Sequence, residues 1–109
     1  MGTVSVVIPT YNRAEALSRA IDSVLAQTFE DFEIIVVDDA STDDTPAVVE
    51  SYDDDRIKYR RLDRNRGANI ARNKGIEVAE GDLLSFLDSD DELHPEHLKR
   101  VVKRFRESP

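Results

Sequence analysis

Apolar positions change their spacing several times along the chain, and each change marks a predicted element. Residues Thr3 to Ile8 (TVSVVI) form a nearly continuous run of β-branched and other apolar side chains, as in a strand covered on both faces. Pro9 is expected to end it. From Asn12 the period becomes helical, with Leu17, Ile21, Val24 and Leu25 on one stripe. Asn12 is predicted as the N-cap, and Glu15 three residues on completes a capping box. Phe32 to Val37 (FEIIVV) predicts a second strand. Ser41 or Thr42 can then cap a helix with Pro46 in its first turn and Val48 and Val49 facing inward.

The alternation continues. Ile57 to Leu62 (IKYRRL) interleaves apolar and basic residues, as a strand exposed on one face does. Ala68 to Ala79 predicts a helix with Ile70, Ala71, Lys74 and Val78 at suitable offsets and Gly81 as its C-terminal stop. Leu83 to Leu87 (LLSFL) predicts a fourth strand. A last helix, starting near Pro95, carries Leu98, Val101, Val102 and Phe105 on one stripe. Strands alternating with helices imply an α/β fold, a mostly parallel sheet with flanking helices. A fourth strand returning beside the first creates a topological switch, and ligands of such sheets sit there, past the C-terminal ends of the strands.

Length and composition narrow this picture. A chain of 109 residues makes one domain, burying roughly two-thirds of its unfolded surface. There is no membrane span and no basic-then-apolar leader at the N-terminus, so the expectation is a soluble chain in the cytoplasm. With no cysteine, disulfides and thiolate chemistry are excluded. A net charge of -8 argues against nucleic acid and anionic membrane as partners. Acidic runs such as Asp53 to Asp55 read equally as adaptation to high salt or as a solvated turn.

Chemistry gathers at the strand ends. The fourth strand runs into Leu87-Asp88-Ser89-Asp90-Asp91-Glu92. Carboxylates this crowded repel one another unless a cation joins them, and oxygen ligands suit magnesium or manganese. Acids that merely precede a helix weigh equally against this reading. At the end of the second strand, Asp38 and Asp39 could accept hydrogen bonds from a base or ribose, or the segment could serve only to cap the next helix. Tyr11 could stack on a planar base, although a half-buried packing role is the commoner one for tyrosine. Among the cations between Arg56 and Lys74, Arg72 follows Gly67 by about one helical turn and is the one singled out for a diphosphate. His94 and His97, without cysteine or a third histidine, do not make a zinc site. No Walker or dinucleotide glycine spacing occurs.

Four segments, Val4 to Arg13 (VSVVIPTYNR), Ile34 to Thr45 (IIVVDDASTDDT), Asn65 to Gly75 (NRGANIARNKG) and Gly81 to Glu92 (GDLLSFLDSDDE), together resemble glycosyltransferase family 2 in order and spacing. The resemblance implies the Rossmann-like, nucleotide-binding half of a GT-A fold. It implies transfer of a sugar, with inversion, from a nucleotide-diphospho-sugar donor, commonly a uridine one, using Mn2+ or Mg2+. By the family pattern Pro9 and Tyr11 line the nucleotide site with Tyr11 stacking on the base, Asp39 bonds the uracil imide, and Asp88 contacts ribose. Arg72 lies near the phosphates, and Asp90 and Asp91 hold the metal, within the Asp-x-Asp element Asp88-Ser89-Asp90.

The family carries its general base and acceptor wall in a segment well beyond the metal motif. Residues 1–109 are therefore expected to be a single truncated domain that binds donor but lacks the base, with the sugar, lipid or polysaccharide acceptor held elsewhere, at the inner membrane surface in a full-length protein. A noncatalytic sugar-nucleotide-binding module is the alternative. A phosphoacceptor signalling domain, built on Asp38 and Asp39, is a weaker one. The predicted topology also leaves Leu83 to Leu87 at a sheet edge, from which a symmetric homodimer is expected.

Overall fold

The computed structural model describes residues 3–107. Four strands and four helices alternate along the chain: β1 (Val4–Thr10), α1 (Ala14–Leu25), β2 (Phe32–Asp38), α2 (Thr45–Glu50), β3 (Ile57–Arg61), α3 (Ala68–Val78), β4 (Leu83–Phe86) and α4 (His97–Glu107). All strand pairs are parallel, in the order β3-β2-β1-β4. The order reverses between β1 and β4, so the predicted switch point lies beside the first strand.

Period-two alternation divides β1 between two cores. Val4, Val6 and Ile8 pack with Leu17, Ala20, Ile21 and Val24 of α1, Val49 of α2, and Leu98 and Val102 of α4. Val7 faces the other way, with Ile35, Val37 and Ala71 of α3. Every residue of β1 and β2 is buried, as their unbroken apolar runs predict.

Pro9 does not end β1, which continues to Thr10. The Val4 N–H bonds Asp31 and the Thr10 carbonyl bonds Asp39, so even positions point toward β2, whereas the Val7 carbonyl accepts from Leu87 on the β4 side. Pro9 belongs to the odd set, and β4 pairs only with Val4 to Val7. The missing N–H therefore falls where no strand remains to receive it.

Helix α3 meets the sheet through its smallest residues. Ala71 and Gly75 are buried, whereas Ile70, expected on the inner stripe, is exposed. A Cβ built on Gly75 would stand 2.3 Å from Val7 Cγ1, so the spacing of α3 from the sheet depends on glycine there. Gly81 likewise acts by close approach and not as the αL stop expected of it: a Cβ would lie 2.6 Å from Ser5 Oγ and 2.8 Å from Thr3 O.

Hydrogen bonds around Glu33 fasten the end of the sheet opposite the strand C-termini. The Glu33 carboxylate accepts from the Ser5 hydroxyl and, at 2.7 Å, from the Glu80 N–H, and pairs with Lys58 Nζ at 2.7 Å. The Gly81 N–H donates to Ser5 Oγ at 2.8 Å. Burial pushes the Glu33 carboxyl up, but the hydrogen bonds from Lys58, Ser5 and Glu80 outweigh it and hold the group below the usual carboxylate range.

β4 and the far side of α4 are the open parts of the molecule. Leu84 and Phe86 pair with Ser5 and Val7, so they share the α3 face, yet they remain 43% and 45% exposed. On α4, Leu98 and Val102 are fully covered, while Phe105, expected on the same stripe, is exposed. No helix of the described residues is long and apolar enough to cross a membrane.

Candidate functional site

A cavity of about 190 Å³ opens past the C-terminal ends of β1, β2 and β4, lined by Pro9, Tyr11, Arg13, Asp39, Asp88 and Ser89 among others. Three of its walls are loops that follow strands, as a topological switch requires. Four of the residues singled out in the sequence, Pro9, Tyr11, Asp39 and Asp88, line this one cavity. Arg72 reaches its rim through Asp88, with Nη2 3.6 Å from Oδ1. Asp90 and Asp91 stand beside Asp88 in the same turn.

Local bonding explains how each group is placed. Asn12 is not the N-cap of α1; that position belongs to Arg13, whose side chain makes no cap bond. Asn12 instead adopts a left-handed backbone, φ 51°, tolerable for asparagine. Its N–H donates to Ser41 Oγ at 2.9 Å, and its Oδ1 accepts from the Thr42 N–H at 2.8 Å. The residue expected to cap a helix thus ties the β1 loop to the β2 loop. Asp43 supplies the missing cap from across the chain, accepting from the Ala14 N–H at 3.2 Å as well as from the N–H and hydroxyl of Thr45. Neither Ser41 nor Thr42 caps α2, whose N-cap is Asp44. Ala40, φ 62°, is a second left-handed residue in these loops.

Asp38 and Asp39 divide their work. Asp38 is fully buried and accepts from the Ser41 N–H at 2.8 Å, from the Tyr59 hydroxyl and from Arg61 at 3.1 Å. Burial, with Asp38 beside it, pushes the Tyr59 hydroxyl up to about 12. Asp39 faces the cavity. Its Oδ1 accepts from the Arg66 N–H at 2.7 Å and its Oδ2 from the Gly67 N–H at 2.9 Å. Gly67 has φ 95°, which favours glycine, and opens α3. Each carboxylate oxygen keeps a further lone pair for a ligand.

The acids after β4 are brought together by a turn closed by the Asp91 N–H donating to the Asp88 carbonyl at 3.0 Å. Ser89 points inward and is buried, leaving Asp88, Asp90 and Asp91 exposed, with one oxygen of each within 4.8 Å of the others. A set of hard oxygen donors at this spacing fits magnesium or manganese and does not suit a soft metal. Two guanidiniums face the cluster: Arg72 on Asp88, and Arg13 Nη1 3.3 Å from Asp90 Oδ2.

Sequence reasoning missed Arg13, Thr10 and Ser89. Arg13 stood inside a quoted motif, yet nothing local connects it to Asp90, 77 positions away. Thr10 Oγ1 is buried without a hydrogen-bond partner among the described residues, in a residue that lines the cavity. Tyr11 is 43% exposed and lines the cavity, so part of its surface is open to a ligand.

Known proteins resemble this chain in sequence and in fold. The sequence model described as "Glycosyl transferase family 2" matches residues 5–109. Succinoglycan biosynthesis protein ExoO of Rhizobium meliloti is 46% identical over 101 residues, covering 93% of this chain and 29% of that protein. The GalNAc(5)-diNAcBac-PP-undecaprenol beta-1,3-glucosyltransferase of Campylobacter jejuni is 45% identical, covering 98% of this chain and 36% of that one. The crystal structure of S. aureus TarS 1-349 in complex with UDP-GlcNAc superposes with a TM-score of 0.92 at 37% identity, covering 96% of this chain and 31% of that chain. The mannosyltransferase PcManGT of Pyrobaculum calidifontis, in complex with GDP-Man and Mn2+, gives 0.85 at 31% identity, covering 92% and 31%. The chain thus spans about a third of the length of these relatives.

Proposed function

Because the chain belongs to glycosyl transferase family 2, we propose that its cavity holds the nucleoside diphosphate part of a sugar donor, with uridine preferred. The observation that carries this reading is the meeting of Pro9, Tyr11, Asp39 and Asp88 in one cavity, with Arg72, Asp90 and Asp91 at its rim. At about 190 Å³ the cavity is smaller than a typical ligand pocket of roughly 300–1,000 Å³, so it suits base and ribose, with phosphates and sugar lying outward toward the acids. Tyr11 stacks on the base, Asp39 accepts from the imide N–H, and Asp88 receives a ribose hydroxyl. Arg72 answers the phosphate charge. Asp90 and Asp91, next to Asp88, hold a manganese or magnesium ion, which when bound neutralises the charge that builds on the departing diphosphate. TarS with UDP-GlcNAc and PcManGT with GDP-Man and Mn2+ support this by likeness.

Transfer proceeds by attack of an acceptor hydroxyl on the anomeric carbon with inversion. The general base and the acceptor contacts are assigned to no residue of this chain. A binding-only role is the competing reading, and donor hydrolysis measured on the chain separates the two.

Calorimetric titration of uridine diphosphate with and without manganese tests the proposal. Asp90→Asn and Asp91→Asn should weaken binding about tenfold when manganese is present, for each removes a charged ligand worth roughly 1.5 kcal/mol or more, and should not weaken it in the absence of manganese. Equal affinity of both variants and the parent would sink the metal assignment.

The open edge of β4 supports a further proposal, pairing of two copies through this strand. Val102 is buried, so it cannot probe the interface; Phe86, exposed on the edge, can. Light scattering should find a dimer at tens of micromolar, roughly where exposed edges associate, and a shift to monomer for Phe86→Glu. A strictly monomeric parent would refute the pairing.

A further inference from the structure

The Arg13 carbonyl accepts from the Leu17 N–H at 2.8 Å to start α1, but its side chain has no part in capping the helix. That side chain is 53% exposed, its guanidinium is directed at Asp90, and the residue lines the cavity. On the other flank Arg72 faces Asp88. Three carboxylates are thus met by two side-chain cations, which leaves the cluster with one net negative charge before any ligand arrives.

We propose that Arg13 is a resident counter-ion that a divalent cation displaces, and that it then turns to the diphosphate. This rests on the donor-binding reading above. Like charges repel in proportion to their proximity, so a divalent ion on Asp90 and the Arg13 guanidinium on the same carboxylate oppose each other. A guanidinium leaving Asp90 stays over the cavity mouth, where planar, bidentate donors suit phosphate oxygens. Ion and nucleotide therefore bind with positive coupling, because each removes a cost of binding the other. Linkage makes that coupling reciprocal.

The opposing signs of the two effects supply the test. Manganese affinity is measured by electron paramagnetic resonance without nucleotide, and again with saturating uridine diphosphate, for the parent, Arg13→Ala and Arg13→Lys. For Arg13→Ala, manganese alone should bind two- to fivefold more tightly, the range expected for loss of one exposed ion pair. Uridine diphosphate in the presence of manganese should bind roughly tenfold more weakly, as for loss of one charged hydrogen bond. Arg13→Lys, which keeps the charge, should restore most of the manganese effect and only part of the nucleotide effect. Circular dichroism should be unchanged in both variants, since the Arg13 side chain makes no cap bond. Manganese binding that is unaltered or weaker in Arg13→Ala, in a parent that binds both ligands, would overturn the exchange while leaving the donor site standing. A parent that binds neither ligand would remove both readings together.

Discussion

A single methyl group added at Gly75 should lower the melting temperature by roughly 5–10 °C, although it improves the intrinsic helix propensity of α3. Replacing a helix-interior glycine with alanine gains about 1 kcal/mol when nothing opposes it. Here the new Cβ would lie 2.3 Å from Val7 Cγ1. Val7 is fully buried on the central strand and is β-branched, so neither its backbone nor its rotamer can yield easily. Overpacking costs typically 1–3 kcal/mol, and a contact this short falls at the upper end, about 2–3 kcal/mol, so the clash wins by about 1–2 kcal/mol. For a domain near this size each kcal/mol moves the midpoint by roughly 4–8 °C. Gly75→Leu should fail to fold, and Val7→Ala combined with Gly75→Ala should recover part of the loss. Thermal denaturation followed by circular dichroism decides it; a midpoint for Gly75→Ala equal to the parent's or higher would show that α3 can move away from the sheet.

Replacing Asp39 with alanine should weaken nucleotide binding by well over tenfold, with or without manganese. The carboxylate holds the Arg66 and Gly67 N–H groups and, in the proposed complex, an imide N–H as well. A charged hydrogen bond contributes roughly 1.5–3 kcal/mol, which alone is about tenfold to more than a hundredfold in affinity. The loop entering α3 loses its anchor at the same time, so a wall of the cavity loosens. Asp39→Asn retains one acceptor oxygen and should fall between parent and alanine variant. Metal independence separates this effect from that of Asp90 or Asp91. Full affinity of Asp39→Ala in calorimetry would place the base elsewhere.

These two residues also show what the sequence could and could not reveal. The place of Asp39 beside the cavity was legible because an acid at the end of an apolar strand is a local pattern, and the runs VSVVI and FEIIVV announce buried parallel strands without help from elsewhere in the chain. Gly75 was not, since a glycine inside a helical pattern carries no sign of what will press against it; Val7 lies 68 positions away. Asn12 failed as a predicted cap for a similar reason: its side chain satisfies the Thr42 N–H, a bond across 30 positions, in preference to the helix beside it. Ile70 matched the helical period but faces solvent, because the small residues Ala71 and Gly75 set the angle at which α3 lies down. Arg13 and Thr10 gained their places in the cavity only when β1 and β4 became neighbours. Local periodicity carried the architecture, and long-range pairing supplied the details of the site.

The ties between loops have a consequence for how a ligand would be received. Asn12 bound to Ser41 and Thr42, and Asp39 bound to Arg66 and Gly67, join the walls that follow β1 and β2 and the one that enters α3. Ordering a free loop costs about 1–2 kcal/mol of entropy for each residue fixed. In this fold that loss falls on the folding equilibrium and not on the encounter with the nucleotide. Rigid walls of this kind favour recognition of a shape already present. The turn of exposed acids after β4 is joined to these walls by exposed ion pairs, Arg13 with Asp90 and Arg72 with Asp88, which hold far less strongly in water and so are the ties a ligand can exchange.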